Sequence, residues 1–380
     1  MRIARYLVLL IALAASFPLA APAQVGDGKT ELSPNAALQY WQAFTFLPTL
    51  DAAGEKALAE SATIAITDPA VEKLLGSSQQ SLMYLYRAAP LKQCDWGLDY
   101  NDGISMLMPH LAKSRDLARL AALDARRAFE NRNWKAGRRD MMSIMVLARH
   151  VGRDPVMIAL LVRLGIEGLA VDTFAPYVPE FRTSHSEAVA MFEMMPPPLT
   201  LVQSIQFEKK WFAGWIVPKL RAEEKRSPGA GMVIWKNLLD GPDTPASLKE
   251  IKTIDEATKL IEEMIPTYDQ LARYAAMPND QFDAQYPAYK QKVKAQFPLT
   301  ALLLPSIDTL RAKEQRHQAR MAMLLAGIAV AESGPEKLKD IKDPFGSGPF
   351  EYKALNPGFE LKSKLQFEGQ PVTLTIGQRK

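Results

Sequence analysis

Helical periodicity runs through most of this chain and limits the folds that it can adopt. From Ala36 to residue 305, apolar residues recur at the three- and four-residue spacing of amphipathic helices, with proline and glycine as interruptions. The clearest part predicts a helix over residues 109–132 and another over residues 135–150, joined at Asn133 and Trp134. Because amphipathic helices with short connections lie antiparallel, we expect a mainly α fold, an irregular antiparallel helical array.

The two central helices resemble a tetratricopeptide-type hairpin, since small residues on the first allow close approach by the second. No convincing second copy follows at the period of about 34 residues that such repeats show, which argues against a regular solenoid. Farther along, residues 227–247 are rich in glycine and proline and form the longest stretch without helical spacing. We expect this stretch to be irregular, and it is the best candidate for a hinge or lid.

The last forty residues change from helical spacing to alternation. The alternating apolar residues are Phe359, Leu361, Leu365 and Phe367, and then, after a turn at Glu368-Gly369, Val372, Leu374 and Ile376. Alternation bounded by turns predicts a small antiparallel β-meander of three strands, packed on a helix. The chain is therefore divided into a helical body over residues 36–305 and a unit over residues 306–380, a long helix followed by the meander.

The N-terminus has the features of an export signal. Residues 1–23 combine a positively charged start, a short apolar stretch over residues 6–17 and small residues that end at Ala23. We expect cleavage after Ala23, which would place the mature protein in the periplasm or outside the cell. The polar residues 24–35 should then form a flexible N-terminal segment.

Charge and cysteine content exclude several classes of protein. The formal net charge is +4, and removal of Arg2 and Arg5 with the signal leaves +2, which gives no global field for nucleic acid. Cys94 is the single cysteine, so the chain has no internal disulfide and must rely on its hydrophobic core. Residues 155–171 carry charges and residues 321–331 are too few to cross a bilayer, so no transmembrane segment is expected after cleavage.

The strongest local motif lies before the meander and runs from Lys342 to Tyr352, with the sequence KDPFGSGPFEY. Asp343-Pro344 and the glycines predict a tight turn, which Phe345 and Tyr352 should anchor against a core. This motif and the following Pro-Gly turn resemble the C-terminal sheet of the major pseudopilins of type II secretion. The resemblance implies a pilin-like C-terminal sheet after a long helix.

Two features of pseudopilins are missing from this sequence. The chain lacks their N-terminal signal, Gly-Phe-Thr-Leu-x-Glu, so we do not expect assembly into a pilus. It also lacks their acidic calcium loop, since residues 363–371 offer one carboxylate, Glu368, where calcium takes six to eight oxygens.

A second resemblance covers most of the mature chain. Cys94-Asp95-Trp96, Pro109-His110-Leu111 and Arg115 are followed by the terminal Asp-Pro-Phe-x-x-Gly-Pro-Phe motif. This order is similar to that of a large group of exported, mostly helical bacterial proteins without an assigned activity, and it implies fold and location only. Trp96, His110 and Arg115 either tie the Cys94 loop to the helical body or belong to a ligand site, and we favour the first interpretation.

No motif for catalysis, a metal or a cofactor is present. Glu314 and His317 have the Glu-x-x-His spacing of di-iron bundles, but no second copy exists among the four histidines. Standard zinc spacings, catalytic serine motifs and phosphate loops are also missing from the sequence. We therefore predict no catalytic residue, no metal ligand and no cofactor.

Two carboxylates lie within otherwise apolar or aromatic helices. Glu167 follows Arg163 by four residues, so the two can pair along one helix face. If Glu208 also points inward, the three side chains would form an acidic pocket that a hydrolase could use. The more common outcome for such residues is a satisfied ion pair.

An aromatic face is predicted by Phe207, Trp211 and Trp215, which recur at every fourth position with lysines nearby. Such a face can contact a membrane surface or bind a small hydrophobic ligand, or it can form a seam between helices, the usual outcome. Our leading hypothesis is a non-catalytic binding or scaffold protein of the periplasm or cell envelope. Its partner would be a protein or a small hydrophobic ligand bound at the aromatic face or near Arg163, Glu167 and Glu208. The alternatives are a hydrolase with an acidic pocket and an accessory component of an envelope or secretion assembly.

Overall fold

The computed structural model describes residues 34–180, 184–303 and 306–379. The predicted signal peptide and nearly all of the predicted flexible segment lie outside these residues. Residues from Pro34 onward form one compact unit. The α-helices are α1 (Ala36–Thr45), α2 (Ala52–Ala59), α3 (Pro69–Ser77), α4 (Gln79–Ala88), α5 (Pro109–Glu130), α6 (Trp134–Val151), α7 (Met157–Phe174), α8 (His185–Glu193), α9 (Leu201–Arg226), α10 (Ala230–Leu238), α11 (Ala246–Lys249), α12 (Ile254–Ala276), α13 (Asn279–Gln296), α14 (Pro298–Leu303) and α15 (Ile307–Ser333).

Three short 3₁₀ helices and three strands complete the described part of the chain. The 3₁₀ helices cover Tyr100–Ser105, Ala175–Glu180 and Pro335–Asp340, and the strands are β1 (Glu351–Ala354), β2 (Phe359–Phe367) and β3 (Gln370–Ile376). The predicted fold class is confirmed: the molecule is mainly α with a small C-terminal antiparallel sheet. No helix among the described residues is both long and apolar enough to cross a membrane.

The central helical hairpin shows how local signals position the chain. Asn133 caps α6 by accepting a hydrogen bond from the amide of Ala136 at 3.2 Å, which fixes the turn after α5. Gly137 lets the first turn of α6 approach α5, because a Cβ at this position would lie 2.1 Å from the ring of Phe129. The predicted antiparallel pair is therefore present, within two residues of its expected bounds.

The expected hinge or lid over residues 227–247 is wrong in its main feature. About half of this stretch is helical, because α10 covers Ala230–Leu238 and α11 begins at Ala246. Trp235 is fully buried and Met232 nearly so, so these apolar side chains belong to a core formed with α9 and α12. Gly229, with a φ of 86°, starts the helix after the turn that follows α9.

The C-terminal sheet has the order β1-β2-β3 and is antiparallel throughout. A two-residue turn at Glu368 and Gly369, both with positive φ, joins β2 to β3. One face of the sheet packs on α15, where Gly327 makes room for Ile376 of β3: a Cβ on this glycine would lie 2.2 Å from the Ile376 Cδ1. The helix that the meander requires is thus the one that precedes it.

Asp343 holds the turn motif against the sheet. Its buried carboxylate accepts hydrogen bonds from the Ser363 hydroxyl at 3.0 Å and from the amides of Phe345 at 3.0 Å and Lys364 at 2.7 Å. Phe345 packs against the core as expected, but Tyr352 is 40% exposed. Phe350, which is 3% exposed, provides the second anchor instead.

Candidate functional site

A buried cluster of charged side chains joins α6, α7 and α15. At its centre lies Glu167 of α7, whose side chain is fully buried. Its Oε2 accepts a hydrogen bond from Arg163 Nη1 at 2.8 Å and lies 2.8 Å from His317 Nε2. Arg149 Nε of α6 lies 2.7 Å from Oε1, but its N–H is not directed at the oxygen, so this contact is an ion pair.

This cluster favours the ionised form of Glu167. Burial raises the pKa of Glu167, but the bond to His317 and the charges of His317, Arg163 and Arg149 outweigh burial and lower it from its ordinary value. Arg163 is also held at its other end, because its Nη2 donates to the Leu199 carbonyl at 3.3 Å. The cluster therefore ties three helices together and places both carboxylate oxygens of Glu167 beside cationic groups.

Glu208 lies in a different part of the molecule. Its Oε1 accepts a hydrogen bond at 2.8 Å from the amide of Met157, the first residue of α7. Met157 is ten residues before Glu167, which is about 15 Å along a helix. Glu208 and Glu167 therefore do not form one acidic pocket. Burial raises the pKa of the half-buried Glu208 to about 7, and the bond from Met157 opposes this only in part.

The Glu-x-x-His pair on α15 has two separate structural roles. His317 faces Glu167, whereas Glu314 accepts a hydrogen bond at 3.1 Å from the amide of Leu201, the first residue of α9. Among the described residues, no three His, Cys, Asp or Glu side chains are grouped so that they could hold a metal ion.

The aromatic face of α9 packs mainly against the 3₁₀ helix Tyr100–Ser105. The Trp211 indole donates to the Tyr100 carbonyl at 2.8 Å, and the Phe207 and Tyr100 rings meet edge to face at 5.3 Å. Gly103 is required beside Trp215, because a Cβ there would lie 2.1 Å from the indole. This face is thus chiefly a seam, although Trp211 and Trp215 also line a shallow surface depression of about 480 Å³.

The loop that carries Cys94 is attached to the helices through Trp96. The Trp96 ring stacks on His110 at 4.5 Å, and its indole donates to the His150 carbonyl at 3.1 Å. Arg115, in contrast, is exposed and does not take part in this attachment. Burial raises the pKa of the Cys94 thiol, which disfavours the nucleophilic thiolate.

One polar cavity was not indicated by the sequence. A groove of about 690 Å³ lies where the C-terminal sheet meets the helices, and we call it the sheet groove. Its lining residues are Ala62, Thr63, Arg126, Glu130, Asp172, Thr173, Ala175, Pro176, Tyr177, Arg320, Pro357, Thr373, Leu374, Thr375, Gln378 and Arg379. They come from positions as far apart as 62 and 379, so no local sequence motif could have predicted the site.

Two of the three arginines in the sheet groove are paired with carboxylates. Arg320 of α15 pairs with Asp172 at the end of α7. Arg379 pairs with Glu130 at 3.2 Å and with Glu180, and its guanidinium lies over the Tyr177 ring. The Tyr177 hydroxyl donates to Glu130 at 2.8 Å, and burial together with this bond raises the pKa of Tyr177 to about 12.

Arg126 differs from the other two arginines. Its Nη1 and Nη2 each donate to a backbone carbonyl at 2.8 Å, those of Ser61 and Ile64. Among the described residues, no carboxylate lies within ion-pair distance of it. The sheet groove therefore contains one positive charge that the protein fixes in place and does not neutralise.

Comparisons of the chain with protein-family models, with curated proteins and with solved structures give no match.

Proposed function

We propose that this chain is an exported, non-catalytic binding protein that holds its partner in the sheet groove. One observation carries the proposal: distant parts of the chain converge on a cleft of about 690 Å³ that offers guanidinium donors, carboxylate acceptors and threonine hydroxyls. This volume lies within the range of about 300–1,000 Å³ that is typical of ligand sites. The polar lining favours a polar partner over the small hydrophobic ligand considered from the sequence.

The hydrolase alternative has less support. A general acid or base must reach the reacting group, and neither Glu167 nor Glu208 lines the sheet groove. The two carboxylates that do line it, Glu130 and Asp172, are each paired with an arginine. Export is supported by the N-terminal sequence alone, and a role in an envelope or secretion assembly is supported by the pseudopilin resemblance alone.

Site-specific photo-crosslinking in the producing cell tests the proposed binding. A photoreactive residue at the exposed Thr373, inside the sheet groove, should give a discrete adduct with a partner. The same residue at the exposed Lys249 of α11, outside the groove, serves as the matched control. The Thr373 adduct should disappear when Arg126→Gln is added. Equal adducts from both positions, or none from Thr373, would contradict the proposal.

A further inference from the structure

One wall of the sheet groove is the open edge of β3. This strand pairs with β2 on one side only, so its other side faces away from the sheet. In an antiparallel ladder, successive residues point their N–H and C=O groups alternately toward the partner strand and away from it. The amide of Gly377 donates to the Ala175 carbonyl at 3.1 Å, on the side away from β2. Thr375 and Thr373, at two-residue steps from Gly377, therefore point their backbone groups to the same open side.

Pro371 agrees with this alternation. It lies two residues before Thr373, and a proline within a strand is tolerated where its missing N–H would face away from the neighbouring strand. Among the described residues, no backbone hydrogen bond from outside the sheet reaches Thr373 or Thr375. Both residues line the groove, and two-residue steps along a strand place their free backbone groups about 7 Å apart. This is the spacing at which an extended chain can pair with both.

Arg126 of α5 supplies a positive charge on the helical side of the groove. Two of the five N–H groups of Arg126 are used by the carbonyls of Ser61 and Ile64, and the residue is 9% exposed, so its guanidinium is held in one orientation. A nearly buried cation without a carboxylate partner is costly, and a bound carboxylate would relieve that cost through charge-assisted hydrogen bonds. The groove is thus complementary to an acidic side chain.

We propose that an extended, acidic segment of a partner protein adds to β3 as a fourth strand. Its backbone pairs with Thr373 and Thr375, and a Glu or Asp side chain binds Arg126. The inference rests on the proposed function and names the chemistry of the partner. A second copy of this chain fits less well, because β3 (Gln370–Ile376) contains no carboxylate with which to pair Arg126.

Capped octapeptides of alternating Val and Thr, each with one Glu at a different position, are the probes. We expect at least one of these peptides to bind in calorimetry and to shift the amide resonances of Thr373 and Thr375 in NMR spectra of the protein. Replacing its Glu with Gln should weaken binding at least tenfold. Methylation of alternate peptide amides should abolish binding, because strand pairing needs the backbone N–H groups.

Variants of the protein separate backbone pairing from side-chain contacts. Thr375→Pro removes one outward N–H and should abolish binding, whereas Thr375→Val keeps this N–H and should bind normally. Arg126→Gln should remove the preference for Glu over Gln. Arg311→Gln is the matched control, because Arg311 is also a buried arginine that donates to backbone carbonyls, those of Tyr274 and Met277, but it lies outside the groove.

The outcomes distinguish this inference from the proposed function. If Thr373 gives a crosslinked partner but no octapeptide binds, or binding is indifferent to Glu and to Thr375→Pro, the groove binds something other than an acidic strand. If neither crosslinking nor peptide binding occurs, both proposals fail. Dimerisation that Thr375→Pro abolishes would assign the edge to a second copy and overturn the inference.

Discussion

The cluster around Glu167 and the sheet groove use similar side chains to opposite effect. In the cluster, Arg149, Arg163 and His317 converge on one carboxylate, and the side chains of Arg163 and Glu167 are almost completely buried. In the groove, Arg320 and Arg379 pair with carboxylates that remain accessible, the side chain of Asp172 being 51% exposed, and Arg126 bonds only to backbone carbonyls. The first arrangement buries its charges against one another, whereas the second leaves charged groups accessible in a cleft.

This difference shows why buried charge alone is a poor guide to function. Removing a buried carboxylate from its partners is expensive, so a network such as that of Glu167 contributes to holding helices in register. A functional site needs donors or acceptors that the fold positions without satisfying, as it does for Arg126, Thr373 and Thr375. If the two regions differ in this way, substitutions in the cluster should lower stability and substitutions in the groove should change binding.

The largest effect should come from the centre of the cluster. Glu167→Gln leaves Arg149 and Arg163 buried without their anion, so the free energy of unfolding should fall by about 3–5 kcal/mol, measured by urea titration at neutral pH. Glu336→Gln is the control, since Glu336 pairs with Lys339 on the surface and should not change the urea midpoint measurably. A loss for Glu167→Gln as small as that of the control would show that the cluster does not hold the helices together.

A second buried network lies in the turn before the sheet, at Asp343. Asp343→Asn replaces one acceptor oxygen with a donor, which would face the backbone N–H of either Lys364 or Phe345. We expect a loss of about 2–3 kcal/mol in thermal unfolding, because a buried donor loses a charged acceptor. Asp340→Asn, at an exposed position, should leave the unfolding temperature unchanged. If both variants unfold alike, Asp343 does not hold the turn to the sheet.

Glu208 gives a pH-dependent test. Its pKa rises from 4.5 to about 7 on folding, so the folded state favours the protonated carboxyl. Below pH 4.5 both states are protonated, and the stability that this group favours is fully present. As the pH rises from 4.5 to about 7, the unfolded chain ionises first and this stability is lost; above pH 7 the folded protein holds a desolvated carboxylate.

Glu208→Gln imitates the protonated form and can still accept the bond from Met157. The variant should match the parent chain near pH 4 and exceed it above pH 7 by on the order of 1 kcal/mol, after allowance for partial solvent exposure. Urea titrations at both pH values provide the measurement. A variant that is less stable than the parent at pH 8 would mean that the ionised carboxylate is favoured there.

The smallest effect on stability is expected in the groove itself. Asp172→Asn removes the partner of Arg320 at an accessible position, so the free energy of unfolding should change by less than about 1 kcal/mol. The groove gains one unneutralised arginine, and affinity for the acidic octapeptides should rise several-fold. An unchanged affinity would place Arg320 outside the peptide's reach.

Local patterns predicted the local parts of the fold. The helical hairpin of α5 and α6 and the meander followed from spacing and turn residues, because both are built from neighbours in sequence. Residues 227–247 were wrongly expected to be irregular, since their glycines and prolines were visible but the burial of Trp235 against distant helices was not.

The site was harder to predict for the same reason. The four-residue spacing paired Arg163 with Glu167, but nothing local linked them to His317 on α15, 150 positions later. The spacing of Phe207, Trp211 and Trp215 predicted a helix face, but it did not predict that this face contacts Tyr100. No sequence pattern singled out Arg126. Its place in the proposed site depends on the backbone carbonyls that it bonds to and on the strand β3, which lines the same groove.

The two ends of the β3 edge limit aggregation through this strand. An exposed strand edge invites other chains to add without limit, which is a common start of aggregation. Here Pro371 offers no N–H at one end, and Gly377 is already bonded to Ala175 at the other. Only Thr373 and Thr375 remain open, a length sufficient for a short guest segment but too short to template a growing fibril. The features that limit this edge to a short guest segment therefore also limit aggregation through β3.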